Sequence, residues 1–412
     1  RSAPRGSVGT VSTTTPHPAR RRVFTLATAA IAVDTLLFSA IVPALPVYQR
    51  EMGISDTQVA LLFAAFPIAQ LITALLLPRW VDRAGRRTAL TAGALLLFAS
   101  GVAFAFTTEP ITLAIARAVQ GGAAALTWTG ALAAVSDVYP VDQLGFRLGL
   151  AETAGGGVGL LGPLLSGVLI DAIGVRETFL LISVVPLLLA AAVALIPETA
   201  RRSPTPPSVL QGLRGVARSP GARAGGLALI LLALVEAMLE PLLPLDLADR
   251  LGLSSAGIGL VLALGTAAVF LGSPLGGWWS DHAGRRRPLL VGGAITALTL
   301  PFVAVGPPWW VTLVLAVCLG AAAVLAAPSG PLFTEAVDDM GHAGSYGLSA
   351  ASMVAVYSLG YTIGPLIGGG LHLVLDFRGV ALVVAGIVAI GTVACAIMLP
   401  RDPDGHRGRR LT

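Results

Sequence analysis

The chain has 412 residues, of which 55% are apolar and 12% charged, and its mean hydropathy is +0.82. Soluble domains carry about 25% charged residues, so an ordinary soluble enzyme is excluded. The net charge of +5 comes from 27 basic residues, all of them arginine, against 22 acidic ones; they sit between apolar runs and speak for membrane topology rather than a nucleic-acid partner.

Residues 1–22 are polar, rich in Ser, Thr, Pro and Arg, and lack the apolar core and cleavage site of a signal peptide, so a disordered cytoplasmic tail is expected. Apolar windows of about 20 residues, the length that crosses roughly 30 Å of hydrocarbon, then fall at 24–48, 58–78, 88–106, 111–134, 147–170 and 178–198. The stretch from Glu198 to Arg223, rich in Pro, Ser and Arg, reads as a linker that breaks every helical pattern. Six further windows follow at 226–248, 256–279, 288–306, 309–335, 346–373 and 379–399. The expected fold is an all-α membrane protein of twelve transmembrane helices in two six-helix pseudo-repeats. One bundle covers 23–199 and the other 225–400, with a cytoplasmic linker at 200–224 and a cytoplasmic tail at 401–412.

Positive charge near helix ends is retained in the cytoplasm. One set of loops holds Arg20–Arg22, Arg79, Arg83, Arg86, Arg87, Arg147, Arg201, Arg202, Arg214, Arg218, Arg223 and Arg285–Arg287, while the other holds little beyond Arg50, Arg176, Arg250 and Arg378. Both termini are therefore expected in the cytoplasm, with the chain multi-pass in the plasma (inner) membrane. The halves also echo one another. Pro43-Ala-Leu-Pro46 matches Pro241-Leu-Leu-Pro244, Asp82-Arg-Ala-Gly-Arg-Arg87 matches Asp281-His-Ala-Gly-Arg-Arg286, and Gly162-Pro-Leu-Leu-Ser-Gly167 matches Gly364-Pro-Leu-Ile-Gly-Gly369. Parallel repeats of this kind build secondary transporters, with a central site between halves that rock.

A carboxylate inside a span is costly and is a functional hypothesis by default. Asp34 lies about ten residues into the first window, near mid-depth, where it costs roughly 2.5–3.5 kcal/mol on an insertion scale. It carries a proton or a cationic substrate, or else is a structural partner of Arg117 or of a backbone group. Glu236 and Glu240 are one turn apart on one face of the seventh span and are candidates for proton coupling, Glu240 also for amine binding. Pro241 and Pro244 are expected to break that helix and free carbonyls toward a cavity. An organic cation also needs aromatic faces, for which Phe38, Phe66, Trp128, Tyr357 and Tyr361 are candidates, plain packing being the alternative for each.

Other polar groups say less. Glu152 fits a gate, an interface or a coupling site; Asp137, Glu335, Asp338 and Asp339 fall at cytoplasmic helix ends, solvated or paired with loop arginines. Cys318 and Cys395 read as core residues, and the histidines lack ligand spacing, so neither a metal nor a cofactor is expected. Ser, His and Asp do not converge within the spans, which argues against an intramembrane hydrolase.

The loop Arg79-Trp-Val-Asp-Arg-Ala-Gly-Arg-Arg87 resembles the loop signature of the major facilitator superfamily, and it recurs at Asp281, Gly284 and Arg285. Arg117-Ala-Val-Gln-Gly121 and Gly155-Gly-Gly-Val-Gly-Leu-Leu-Gly-Pro163 resemble further motifs of that superfamily, the latter its antiporter motif. The resemblance implies gating or motif roles for Asp82, Arg83, Gly85, Arg86, Gly162, Pro163, Asp281, Gly284 and Arg285.

Asp34 to Pro46, Leu62-Phe-Ala with Gln70-Leu-Ile-Thr73, Met238-Leu-Glu-Pro-Leu-Leu-Pro244 and Gly360-Tyr-Thr-Ile-Gly-Pro365 look like the vesicular monoamine and acetylcholine transporter family and its bacterial relatives. That family's Asn after the first-helix Asp is Thr35 here, its second-helix Lys falls on Phe66, and its Asp residues in helices ten and eleven fall on Ala326 and Val354. The resemblance implies proton-driven antiport of amines or lipophilic cationic drugs, with Asp34, Arg117, Glu236 and Glu240 coupling protons. It adds Thr35 and Gln70 to the substrate-binding set. The expected partners are a small amine or cationic drug, protons and the lipid bilayer, with the chain acting as a monomer. Efflux of a neutral or acidic metabolite is the alternative.

Overall fold

The computed structural model describes residues 17–76, 84–196, 198, 209–340 and 346–399. The expectations for Asp82 and Arg83 and for the tail 401–412 lie outside the described residues. Among the described residues, twelve helices are long and apolar enough to cross a membrane: α1 (Arg20–Met52), α2 (Asp56–Ala74), α3 (Arg86–Phe106), α4 (Pro110–Val138), α5 (Phe146–Ile173), α6 (Val175–Ala194), α7 (Pro220–Leu251), α8 (Ser255–Ala283), α9 (Arg286–Ala304), α10 (Pro308–Asp338), α11 (Ser352–Leu371) and α12 (Phe377–Met398). No strand occurs among the described residues.

Every expected window carries one of these helices within its described residues, and most of the helices start a few residues earlier. A hydropathy window ends where polar side chains begin, whereas the backbone ladder continues until something caps it. Ser254 and Asp376 accept from the N–H groups of Gly257 and Gly379 to start α8 and α12, and Gly252, at φ +63°, ends α7. Part of the stretch read as a non-helical linker is helical as well, over Val209–Arg218. Leu213 and Val216 sit three residues apart and pack with Phe333 and Val356, so tertiary burial holds this piece in place.

The exterior is apolar: Leu271, Leu298, Ile390 and Ile397 are each at least 70% exposed, the arrangement of a protein whose solvent is hydrocarbon. Cys318 and Cys395 are buried and unpaired.

The prolines act differently in the two halves. The first span tightens to a 3₁₀ turn at Val42–Ala44, around Pro43. In contrast, α7 runs unbroken through Pro241 and Pro244, against the expectation of a break. Each proline removes only one N–H, freeing the carbonyls of Ala237 and Glu240, while breaking the helix would leave many more groups unpaired in an apolar interior.

In α5 the helix is interrupted at Leu160, three residues before Pro163. Pro163 cannot donate to the Gly159 carbonyl, and the Ser39 Oγ of α1 lies 3.1 Å from that oxygen instead. Small residues make this seam possible: a Cβ on Gly162 would fall 2.9 Å from the Leu36 carbonyl oxygen. Further along, α5 changes partner to α8, where a Cβ on Gly259 would lie 2.2 Å from the Pro163 carbonyl oxygen. Both walls there are backbone, so Gly259→Ala is expected to cost about 1–3 kcal/mol of stability. A thermal unfolding midpoint in detergent equal to wild type would show that the seam is looser than this geometry.

Candidate functional site

Five spans bring the candidate residues to one place: α1, α2, α4, α7 and α11. Arg117 of α4 is 1% exposed. Its guanidinium carbon lies 3.9 Å from the ring centre of Phe63, 4.8 Å from Phe66 and 5.2 Å from Phe38. Its Nη1 donates to Gln120 Oε1 at 2.7 Å, across the three-residue spacing of the Arg-x-x-Gln motif. Glu240 of α7 is within electrostatic reach of it, although no ion pair joins the two. The faces of Phe38 and Phe66, expected to meet a substrate cation, are thus turned to the protein's own cation.

Asp34 is 3% exposed, and Arg117 is not its hydrogen-bond partner; Trp128 Nε1 donates to its Oδ2 at 2.9 Å. Trp128 follows Arg117 by eleven residues on α4, while Asp34 precedes by one turn the Phe38 whose ring meets the guanidinium. On the C-terminal side, Tyr357 donates to Glu236 at 2.7 Å and Tyr361 donates to Glu240. The two tyrosine rings stack, with centroids 5.5 Å apart and planes at 27°, and Phe38 reaches Tyr361 across the site at 5.9 Å. α7 is the most enclosed of the spans, yet Glu236 and Glu240 are only partly buried, so that exposure opens inward rather than to lipid.

Among the described residues, Asp34 Oδ1, Arg117 Nε and Nη2, and Gln120 Nε2 are buried without a hydrogen-bond partner. Thr35 and Gln70 are half-buried; the Thr35 hydroxyl donates to its own helix at Ile31, while the Gln70 backbone passes close to Gly121. Phe63 and Gln120 were not singled out from sequence, although Phe63 lies one turn before Phe66 and Gln120 belongs to the motif already read.

The motif residues build two helix starts on the side that carries the chain ends. Gly85, at φ +96°, turns the chain into α3, and Glu198 accepts from the Arg86 and Arg87 N–H groups at 2.7 and 3.2 Å. A Cβ at Gly85 would strike that carboxylate. Arg86 pairs with Asp137 at 3.2 Å. In the second half Gly284 takes φ +82° and Arg285 pairs with Glu335. Glu198 had been read only as the start of the linker, and its partner lies 112 residues away, a distance no local pattern reports.

On the opposite side the two sets of spans are tied together. Asp171 of α5 accepts from Ser255 N–H at 3.1 Å and Ala256 N–H at 2.8 Å, capping α8. His372, just past the end of α11, meets Asp56 of α2 at 3.2 Å.

A family model described as Major Facilitator Superfamily matches residues 27–223 and 225–411. The chain is 28% identical to the multidrug resistance protein MdtG of Enterobacter lignolyticus over 88% of this chain and 89% of that protein. It is 24% identical to the synaptic vesicular amine transporter of Rattus norvegicus over 87% of this chain and 69% of that one. Among solved structures it resembles the bacterial homolog of the human lysosomal transporter Spinster in an inward-facing, unoccupied conformation, with a TM-score of 0.71, 17% identity, and coverage of 93% of this chain and 95% of that one. With both matches lying on the helical framework described above, the chain belongs to the Major Facilitator Superfamily.

Proposed function

We propose that the protein is a proton-coupled antiporter that exports amines or lipophilic cations by alternating access, from a plasma membrane in which both termini are cytoplasmic. The observation that carries this reading is the set of three interior carboxylates, Asp34, Glu236 and Glu240, of which Asp34 and Glu236 have only neutral hydrogen-bond donors. An ionised carboxylate in such surroundings requires a compensating charge, which either a proton or a substrate cation can bring. The two therefore compete for one site, and competition of this kind is exchange.

With the ties at Asp171 and His372 closed, the site communicates with the cytoplasmic side, and an amine replaces protons there. Opening those ties while the opposite ends close presents it to the outside, where protons displace the amine. The relatives named for drug resistance and amine transport support this class of cargo.

The test is uptake of a radiolabelled amine into liposomes of acidic lumen, with Glu240→Gln as the probe of the cation site. Scintillation binding to Glu240→Gln is expected to weaken at least about tenfold, equivalent to about 1.4 kcal/mol. Unchanged binding removes Glu240 from the site, and affinity that ignores substrate charge favours efflux of a neutral or acidic metabolite instead.

A further inference from the structure

The interior holds three carboxylates against one guanidinium. Glu240, bonded to the Tyr361 hydroxyl, is within electrostatic reach of Arg117, although no ion pair joins the two. Asp34 and Glu236 do not share that cation: Trp128 and Tyr357 each fill one acceptor position without bringing charge, and no ion pair reaches either acid among the described residues.

Their placement is matched. Asp34 precedes Phe38 by four residues and Glu236 precedes Glu240 by four, on spans that run in the same direction. Both acids therefore lie one turn, about 5.4 Å, from the layer of Arg117, Phe38 and Glu240, on the side of the chain ends. One belongs to the first six spans and the other to the last six. Asp34 Oδ1 is buried with no hydrogen-bond partner, the neighbouring Thr127 hydroxyl donating to its own helix at Ala123 and Ala124, so one acceptor of a 3% exposed carboxylate is open to a further donor. Glu236 is partly exposed on an enclosed helix, beside the stacked rings of Tyr357 and Tyr361. Glu152, placed nearer the chain ends by the packing of Gly155 on Ile31, brings a further acid and no cation.

We propose that this site takes substrates bearing two cationic centres on an apolar spacer, one centre seated at Asp34 and the other at Glu236. The proposal rests on the reading of the site as a cation carrier and names its preferred cargo. A single cation compensates one of these acids and leaves the other to a proton, whereas a dication compensates both. The spacer then lies along the tyrosine rings, whose faces tolerate both hydrocarbon and positive charge.

The experiment compares an alkyltrimethylammonium with the bis-trimethylammonium alkane of equal chain length, both taken up by the full chain in liposomes of acidic lumen. The wild-type ratio of transport efficiencies, dication over monocation, is expected to be about ten or more. In Glu236→Gln it falls at least about tenfold, and Glu236→Asp restores most of it.

If Glu236→Gln slows both probes in proportion, Glu236 serves protons alone and the dication proposal is overturned while the carrier reading stands. Wild-type protein that moves neither probe overturns the carrier reading itself. Should Glu236→Gln fail to fold, proton release on binding to wild-type protein in weakly buffered detergent decides the matter. About two protons per dication against one per monocation supports the proposal, and equal numbers overturn it.

Discussion

In liposomes with a pH gradient, Asp34→Asn protein is expected to accumulate no more amine than protein-free liposomes, a loss well beyond tenfold in rate. Asn is nearly isosteric with Asp, and its carbonyl oxygen can accept the Trp128 Nε1 hydrogen bond that now spans 2.9 Å. The fold is therefore retained, and what disappears is the ability to exchange a proton for a cation. Binding of a monocation weakens as well, since the compensating charge has gone. Full retention of gradient-driven uptake would remove Asp34 from the coupling role and shift it to the helix-seven pair. Thermal unfolding of the variant, expected near wild type, separates a coupling defect from a folding one.

Arg117→Ala is expected to be strongly destabilising, by roughly 2–5 kcal/mol, the range for truncating a large buried side chain. Three aromatic contacts are lost with it, each worth about 0.5–2 kcal/mol. Phe38, Phe63 and Phe66 are left around a void, while Glu240 keeps only the Tyr361 hydroxyl. Arg117→Lys keeps the charge but not the flat guanidinium that lies 3.9 Å from the Phe63 ring centre, so it should fall between the two. The measurement is the unfolding midpoint in detergent of Arg117→Ala, Glu240→Gln and the double variant. Coupling through charge makes the double variant more stable than the summed single effects imply. Strict additivity would mean that Arg117 acts by packing alone.

Much of the architecture was legible because crossing hydrocarbon demands long apolar windows, and the windows at 88–106 and 256–279 fall inside α3 and α8 with little to spare. The unbroken course of α7 through Pro241 and Pro244 was not legible, because local propensity favours a break and the apolar surroundings outweigh it. At the site, sequence supplied the residues but not their orientation. Phe38 and Phe66 read as rings for a substrate cation, and the pattern does not tell that Arg117 lies over both of them. Nothing in the pattern names Trp128 as the donor to Asp34 either. The pairings of Glu198, Asp171 and His372 are not legible because their partners are remote in sequence, and polar residues at helix ends are usually just solvated.

The serine at the joint of α1 and α5 has a consequence for motion. Ser39 has one hydroxyl proton and three carbonyl oxygens around it: Thr35 at 2.9 Å, Gly159 at 3.1 Å and Leu36 at 3.3 Å. In the alternating access proposed above, a slide of the glycine face of α5 along α1 would pass the proton from one oxygen to the next instead of tearing it from its only acceptor. The joint then works as a bearing lubricated by a single hydroxyl, and Ser39→Ala should leave the parts in place but make the travel between them stiffer.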